Sequence, residues 1–247
     1  MQITIDGKVC KCEKGEFLLE IARRNGIEIP TLCHHPALSE QGCCRVCIVE
    51  VMEHGRGRIV VSCVYPVEKD VEVNTHSERV RRERGVILSL LQKRAPESGE
   101  IVRLAEKYGA PRLHALRIIP QEKCVLCGLC VRACEALGTG AIATVNRGIN
   151  KKVSTPFDEP SKDCVGCGSC ARVCPTGCIA LLEEDDARFI WGQKFPLIHC
   201  AKCGDVMGTE AELRLAAEKS GQAPEALCET CRKKRMAQEL AHTYGLE

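Results

Sequence analysis

Apolar and polar positions alternate at the start of the chain. Gln2 to Ile5 reads as a strand, Asp6-Gly7 as a two-residue hairpin turn, and Val9 to Cys12 as the returning strand. The period then changes: Leu18, Ile21 and Ala22 fall at i, i+3 and i+4 within Phe17 to Arg24, one face of a helix that Asn25-Gly26 stops. Two further strand-like runs, Cys47 to Met52 and Ile59 to Cys63, flank a turn containing Gly55 and Gly57. Helical spacing returns at Val80, Ile87, Leu90 and Leu91, and again at Ile101, Leu104, Ala105 and Tyr108, with Pro96 and Pro111 as punctuation. Near the end, Ala211 to Lys219 and Glu225 to His242 read as helices.

The pattern is α+β, but composition shows that packing alone does not hold it together. The 247 residues include only four Phe, three Tyr and one Trp, thin for a core of this length, and 20 cysteines. That cysteine density is usual for disulfide scaffolds of secreted proteins, yet the N-terminus has no basic stretch followed by an apolar one. A cytoplasmic location is expected, where clustered thiols hold metals. No apolar run is long enough to span a bilayer. Thirty-five basic residues against 33 acidic give a net charge of +2, which speaks against a dedicated nucleic-acid binder.

Spacing sorts the cysteines into three blocks. In the middle block, Cys124, Cys127, Cys130 and Cys134 form C-x2-C-x2-C-x3-C, and Cys164, Cys167, Cys170 and Cys174 repeat it before Pro175. This is the two-cluster bacterial ferredoxin motif, in which each fourth cysteine reaches across to the other cluster. The expected sets are Cys124, Cys127, Cys130 and Cys174 for a first [4Fe-4S] cluster, and Cys134, Cys164, Cys167 and Cys170 for a second. Gly128, Gly166 and Gly168 let the backbone curl around inorganic sulfur. A pair of zinc knuckles is the alternative, but zinc does not need two such four-cysteine runs.

In the first block, Cys33, Cys44, Cys47 and Cys63 have the C-x2-C pair and distant cysteine of a plant-type [2Fe-2S] site, with the usual x4 gap stretched to x10. The surrounding hairpin, helix and returning strands are those of a β-grasp. Cys44 rather than Cys43 gives the x2 spacing, so Cys43 is expected to be a packed bystander, and Cys10, Cys12 and Cys178 are also left over. Cys33-His34-His35 supplies half of a Rieske site, but the pair ending at Cys47 lacks the histidine for the other half. The third block, Cys200-x2-Cys203 and Cys228-x2-Cys231, is a four-thiolate site, read as Zn2+ in a zinc-ribbon-like or treble-clef-like unit. A further iron-sulfur cluster would use the same four ligands. The basic run Arg232 to Arg235 is expected to be a solvated helix face.

The expected divisions are a [2Fe-2S] ferredoxin-like domain at 1–78, a helical linker at 79–119, a 2[4Fe-4S] ferredoxin domain at 120–185, and a four-cysteine metal-binding unit with helices at 186–247. Two glycine motifs, Gly138-x-Gly140-x-x-Ala143 and Gly166-x-Gly168-x-x-Ala171, spell a dinucleotide fingerprint but do not join a strand to a helix in a βαβ unit. No catalytic residue and no substrate site of the chain's own is expected.

Three stretches carry a family resemblance: TLCHHPALSEQGCCRVCIVEV with VVSC, EKCVLCGLCVRACEALGTGAIATVNRG, and DCVGCGSCARVCPTGCIAL. The chain resembles the N-terminal part of the large iron-sulfur subunit of respiratory complex I. It is also similar to the diaphorase small subunit of NAD-linked hydrogenases, and to the iron-sulfur chains of electron-bifurcating hydrogenases, transhydrogenases and formate dehydrogenases. The resemblance implies an anaerobic electron-transfer subunit of an NAD(P)H-linked oxidoreductase, in a hetero-oligomer with a flavin-containing NAD(P)H-oxidising subunit and a small thioredoxin-like [2Fe-2S] subunit. Ferredoxin or a further catalytic subunit would lie on the other side. Those families carry a one-histidine, three-cysteine site between the two domains. Here no cysteine lies between Cys63 and Cys124, and His76 and His114 cannot make up the set. A free-standing polyferredoxin-like carrier and a zinc-dependent nucleic-acid binder are the competing classes.

Overall fold

The computed structural model describes residues 1–53, 55–114, 119, 121–221 and 225–245. Strands β1 (Gln2–Ile5) and β2 (Lys8–Lys11) form the expected hairpin, with Asp6 and Gly7 both in the left-handed conformation that a tight two-residue turn requires. Helix α1 (Leu18–Arg24) buries Leu18, Leu19, Ile21 and Ala22, and the Asn25 side chain closes its end on the Ile21 carbonyl. Strands β3 (Ile48–Glu53) and β4 (Arg56–Val61) make a second hairpin. Between the hairpins lies a strand the sequence pattern does not announce, β5 (Glu72–Asn74), parallel to β1 and antiparallel to β3. Three residues are too few to establish a period. The sheet order is β2-β1-β5-β3-β4, and Ile3, Ile5, Val49, Val51 and Val73 line its core with α1.

Helices α2 (Glu78–Arg94) and α3 (Gly99–Lys107) start at Ser77 and Ser98, whose hydroxyls accept from the amides of Val80 and Ile101. The sequence places their division from the next unit at 119/120, at the edge of the described residues. Leu88, Ile101, Leu104 and Ala105 share a core with Leu32 and Val46 of the first unit and with Val125 and Leu129 of the next. Leu90, counted in the apolar stripe from its spacing, is 47% exposed; the buried face runs through Val80, Arg84 and Leu88 instead. Arg84 is buried and donates to the carbonyls of Val46 (3.0 Å), Ile48 (2.5 Å) and Thr75 (3.2 Å), with the Tyr108 ring 5.1 Å from its guanidinium.

The cysteine-rich region contains α4 (Leu129–Leu137), the short ladder of β6 (Ala143–Val145) and β7 (Lys152–Ser154), and α5 (Ser169–Arg172). An antiparallel meander follows: β8 (Leu182–Glu184), β9 (Ala187–Ile190), β10 (Gln193–His199) and β11 (Val206–Thr209). β8 and β9 pair across residues 185 and 186, where the sequence reading divides the chain, so the sheet joins the two parts. Helix α6 (Glu210–Ser220) opens with a reciprocal cap between Thr209 and Glu212, and α7 (Glu229–Tyr244) ends the described chain. Among the described residues no helix is long and apolar enough to cross a membrane.

Replacing Arg84 by Met strips the donors from three backbone carbonyls in the dry interior. The expected loss in anaerobic urea denaturation is about 3 kcal/mol, since each orphaned buried acceptor costs about 1–3 kcal/mol before relaxation. Arg82→Met, on the exposed side of the same helix, should stay within about 0.5 kcal/mol of the parent.

Candidate metal centres

The loop from Cys33 to Cys47 folds under the start of β3 and brings four thiols together. Cys33, Cys44, Cys47 and Cys63 are all buried. The thiols of Cys43, Cys44 and Cys63 hold Cys33 far below the ordinary thiol range, and Cys63 draws Cys47 down to about 6. Backbone amides of Leu32 and Val46 turn toward the Cys44 sulfur. A pocket of thiols with inward N–H groups suits a cluster of thiolate-bound iron, because the amides stabilise the sulfur charge. At the start of the long gap after Cys33, the buried His34 ring lies 3.0 Å from a Glu20 carboxylate oxygen on α1 and 2.8 Å from one of Glu40, so both ring nitrogens face carboxylates.

The two ferredoxin-type runs form two cavities. Cys124, Cys127, Cys130 and Cys174 line the first, of about 440 Å³; Cys134, Cys164, Cys167 and Cys170 line the second. Each cavity is thus lined by three cysteines of one run and the last cysteine of the other, and α4 contributes Cys130 to one cavity and Cys134 to the other. Gly128 and Gly168, both left-handed, start α4 and α5, whose first amides, at Leu129 and Ala171, turn toward the Cys127 and Cys170 sulfurs. Burial raises Cys127 to about 11 and Cys130 to about 12, so these thiols stay protonated at neutral pH unless a metal displaces the proton. Neither glycine motif sits between a strand and a helix of a βαβ unit: Gly138 ends α4 and Gly168 begins α5.

Two residues here carry no sequence signal of their role. Trp191, the single tryptophan, lines both cavities and donates its indole N–H to the Cys170 sulfur at 3.4 Å. Arg132, on α4, donates to the Cys33 carbonyl at 2.6 Å and to the Ser39 carbonyl, joining the N-terminal thiol loop to the first cavity. Cys43 is part of the same junction. Instead of simply packing, its thiol donates to the Cys127 carbonyl at 3.2 Å. Gly128 is tight against Gln41, where a Cβ would lie 2.5 Å from the amide oxygen.

The third thiol group lies apart. Cys200, Cys203, Cys228 and Cys231 bring their sulfurs within 4.8 Å of one another. Cys200 and Cys203 sit on the turn between β10 and β11, while Cys228 caps α7 and Cys231 lies in its first turn. The backbone amides of Cys228 and Cys203 lower Cys200 to about 6. A hairpin turn and a helix start thus bring four thiols within reach of a single metal ion.

Comparison with known proteins agrees with this geometry. Residues 1–78 match the 2Fe-2S iron-sulfur cluster binding domain, and residues 117–181 match the 4Fe-4S dicluster domain. The NADP-reducing hydrogenase subunit HndD of Solidesulfovibrio fructosivorans is 34% identical over 187 residues, 64% of this chain and 32% of that one. The NADH-ubiquinone oxidoreductase 75 kDa subunit of Reclinomonas americana is 30% identical over 179 residues, 63% of this chain and 26% of that one. A chain in the crystal structure of an NAD+-reducing [NiFe]-hydrogenase in the H2-reduced state superposes with a TM-score of 0.62 at 28% identity, covering 72% of this chain and 85% of that one. This is an iron-sulfur relative of subunits of NAD(P)-linked oxidoreductases. The chain spans about a third or less of the length of the curated relatives it matches.

The indole hydrogen bond to Cys170 should favour the more negative, reduced state of a cluster held there. Trp191→Phe is therefore expected to lower one cubane potential by on the order of tens of mV in an anaerobic redox titration followed by electron paramagnetic resonance. The [2Fe-2S] potential should not move.

Proposed function

We propose that the chain is the electron-transfer subunit of a cytoplasmic NAD(P)H-linked oxidoreductase complex, relaying single electrons between a flavin-containing NAD(P)H subunit and a second redox partner. The ligand sets in this reading are Cys33, Cys44, Cys47 and Cys63 for [2Fe-2S], Cys124, Cys127, Cys130 and Cys174 for one cubane, and Cys134, Cys164, Cys167 and Cys170 for the other. Cys200, Cys203, Cys228 and Cys231 hold structural zinc. The divisions near residues 78, 119 and 185 belong to the same reading.

The observation that carries it is the junction between the first two thiol sites. The Cys43 thiol donates to the Cys127 carbonyl and Arg132 on α4 donates to the Cys33 carbonyl, so side chains of each ligand loop reach the backbone of the other. Bound clusters supply one-electron sites. The protein's own residues hold those sites in a fixed series, bury the four thiols of the N-terminal site, and offer amide and indole donors to sulfur. Nicotinamide exchanges a hydride, two electrons together, and a flavin is the usual converter to single electrons. That division of labour favours a subunit working beside a flavoprotein, whose small thioredoxin-like companion is part of the implied hetero-oligomer. Ferredoxin or a further catalytic subunit is the remaining partner.

Two measurements test this reading. Anaerobically purified, fully loaded chain should contain about ten irons and about one zinc by elemental analysis; about fourteen irons without zinc would place another cubane at the last four cysteines. The same loaded chain should not reduce a dye with NADH or NADPH, and should gain that activity when the flavin-containing subunit co-purified with it is added back. Turnover by the flavin-free single chain would overturn the subunit reading.

A further inference from the structure

The first cubane cavity contains one thiol more than a cubane needs. Besides Cys124, Cys127, Cys130 and Cys174, Cys178 lines it, with its sulfur 3.6 Å from that of Cys174. Local chain geometry explains the placement. Cys174-Pro175-Thr176-Gly177 is a turn closed by the Gly177 amide on the Cys174 carbonyl at 3.3 Å, with Pro at its second position and a left-handed glycine at its fourth. The turn reverses the chain and returns Cys178 to the mouth that Cys174 faces. Pseudo-symmetry makes the contrast sharp. The residue four positions after Cys134 is Gly138, so the second cavity has four thiols and no fifth among the described residues.

Resting on the ligand sets proposed above, we infer that Cys178 is an alternative fourth ligand of the first cubane, able to take the corner held by Cys174. The exchange is a substitution without redox change. The iron–sulfur bond to Cys174 breaks, the bond to Cys178 forms, and the proton that leaves the Cys178 thiol is taken by the departing Cys174 thiolate. The two sulfurs are already in contact, so the swap needs a small side-chain movement and no refolding of the turn. The second cubane has no such reserve, and the two clusters should differ in their tolerance to loss of a ligand.

The test uses the full chain, reconstituted anaerobically with iron and sulfide, and reads iron content and electron paramagnetic resonance. Cys174→Ala should keep the parent iron content and a [4Fe-4S] signal at the first site, with altered line shape. Cys178→Ala should also keep it. The double variant should lose about one iron per chain and show the oxidised-state signal of a [3Fe-4S] cluster. Cys134→Ala should show that signal on its own. Loss of iron in Cys174→Ala, with the [2Fe-2S] and second-cubane signals intact in the same sample, would overturn the inference and leave the wider reading standing. Absence of any cubane at the first site in the parent chain would sink both. An independent measurement covers failure of Cys174→Ala to fold: under ferricyanide, Cys178→Ala should convert to the [3Fe-4S] form several-fold faster than the parent, and equal rates would count against Cys178.

Discussion

A loop that turns its amides inward to face sulfur must turn carbonyls outward, and each of those carbonyls needs a donor. In this chain many of the donors are arginines, beside the Cys43 thiol and the hydroxyls of Ser62 and Thr209. Arg84 holds the carbonyls of Val46 and Ile48 on either side of Cys47, Arg132 those of Cys33 and Ser39, and Arg94 that of Cys124. Arg172 takes the Cys167 carbonyl, and the buried Arg188 takes that of Gly166. The fork of a guanidinium suits the task because it satisfies two or three acceptors with one rigid group. Its positive charge also offsets the negative charge of thiolate-bound iron.

The same arginines join the parts of the chain. Arg84 and Arg94 come from α2, the helix between the two cysteine-rich regions, and reach in opposite directions. Arg188 lies on β9, and Glu183 and Glu212 hold its guanidinium from β8 and α6. Phe195, on β10, packs against Gly166, where a Cβ would fall 2.4 Å from the ring. The C-terminal meander is thus bound to the second thiol cavity, although its own four cysteines gather at the far end of β10. Shared apolar packing by Leu32, Val46, Leu88, Ile101 and Leu129 completes the union of the first three parts.

The thiol sites were legible in the sequence because their information is local: C-x2-C pairs and the glycines between them need only a few adjacent residues. The hairpins, α1 and the presence of two helices at α2 and α3 were legible for the same reason. The arginines were not. Arg81, Arg82 and Arg84 look alike in a helical run, and only packing against β3 selects Arg84; Arg132 meets Cys33 across 99 positions of sequence. Trp191 had rarity but no pattern, and β5 was too short to show one. Cys178 and Cys43 were visible as surplus thiols, but their neighbours became clear only once the turn after Cys174 and the loop after Cys33 were folded.

The crossing at α4 also bears on how the molecule is made. The four cysteines of the N-terminal site are complete in sequence by Cys63 and its sheet by Asn74, before the first cysteine of the other two sites is reached. The first cavity, in contrast, takes Cys124 from one run and Cys174 from the other, and the second takes Cys134 from before the gap and three cysteines from after it. Neither ligand set is complete before the second run has been made, at Cys170 for the second cavity and Cys174 for the first. The chain therefore supplies the ligands of the N-terminal centre first, and those of the two paired centres are completed within a few residues of each other, at Cys170 and Cys174.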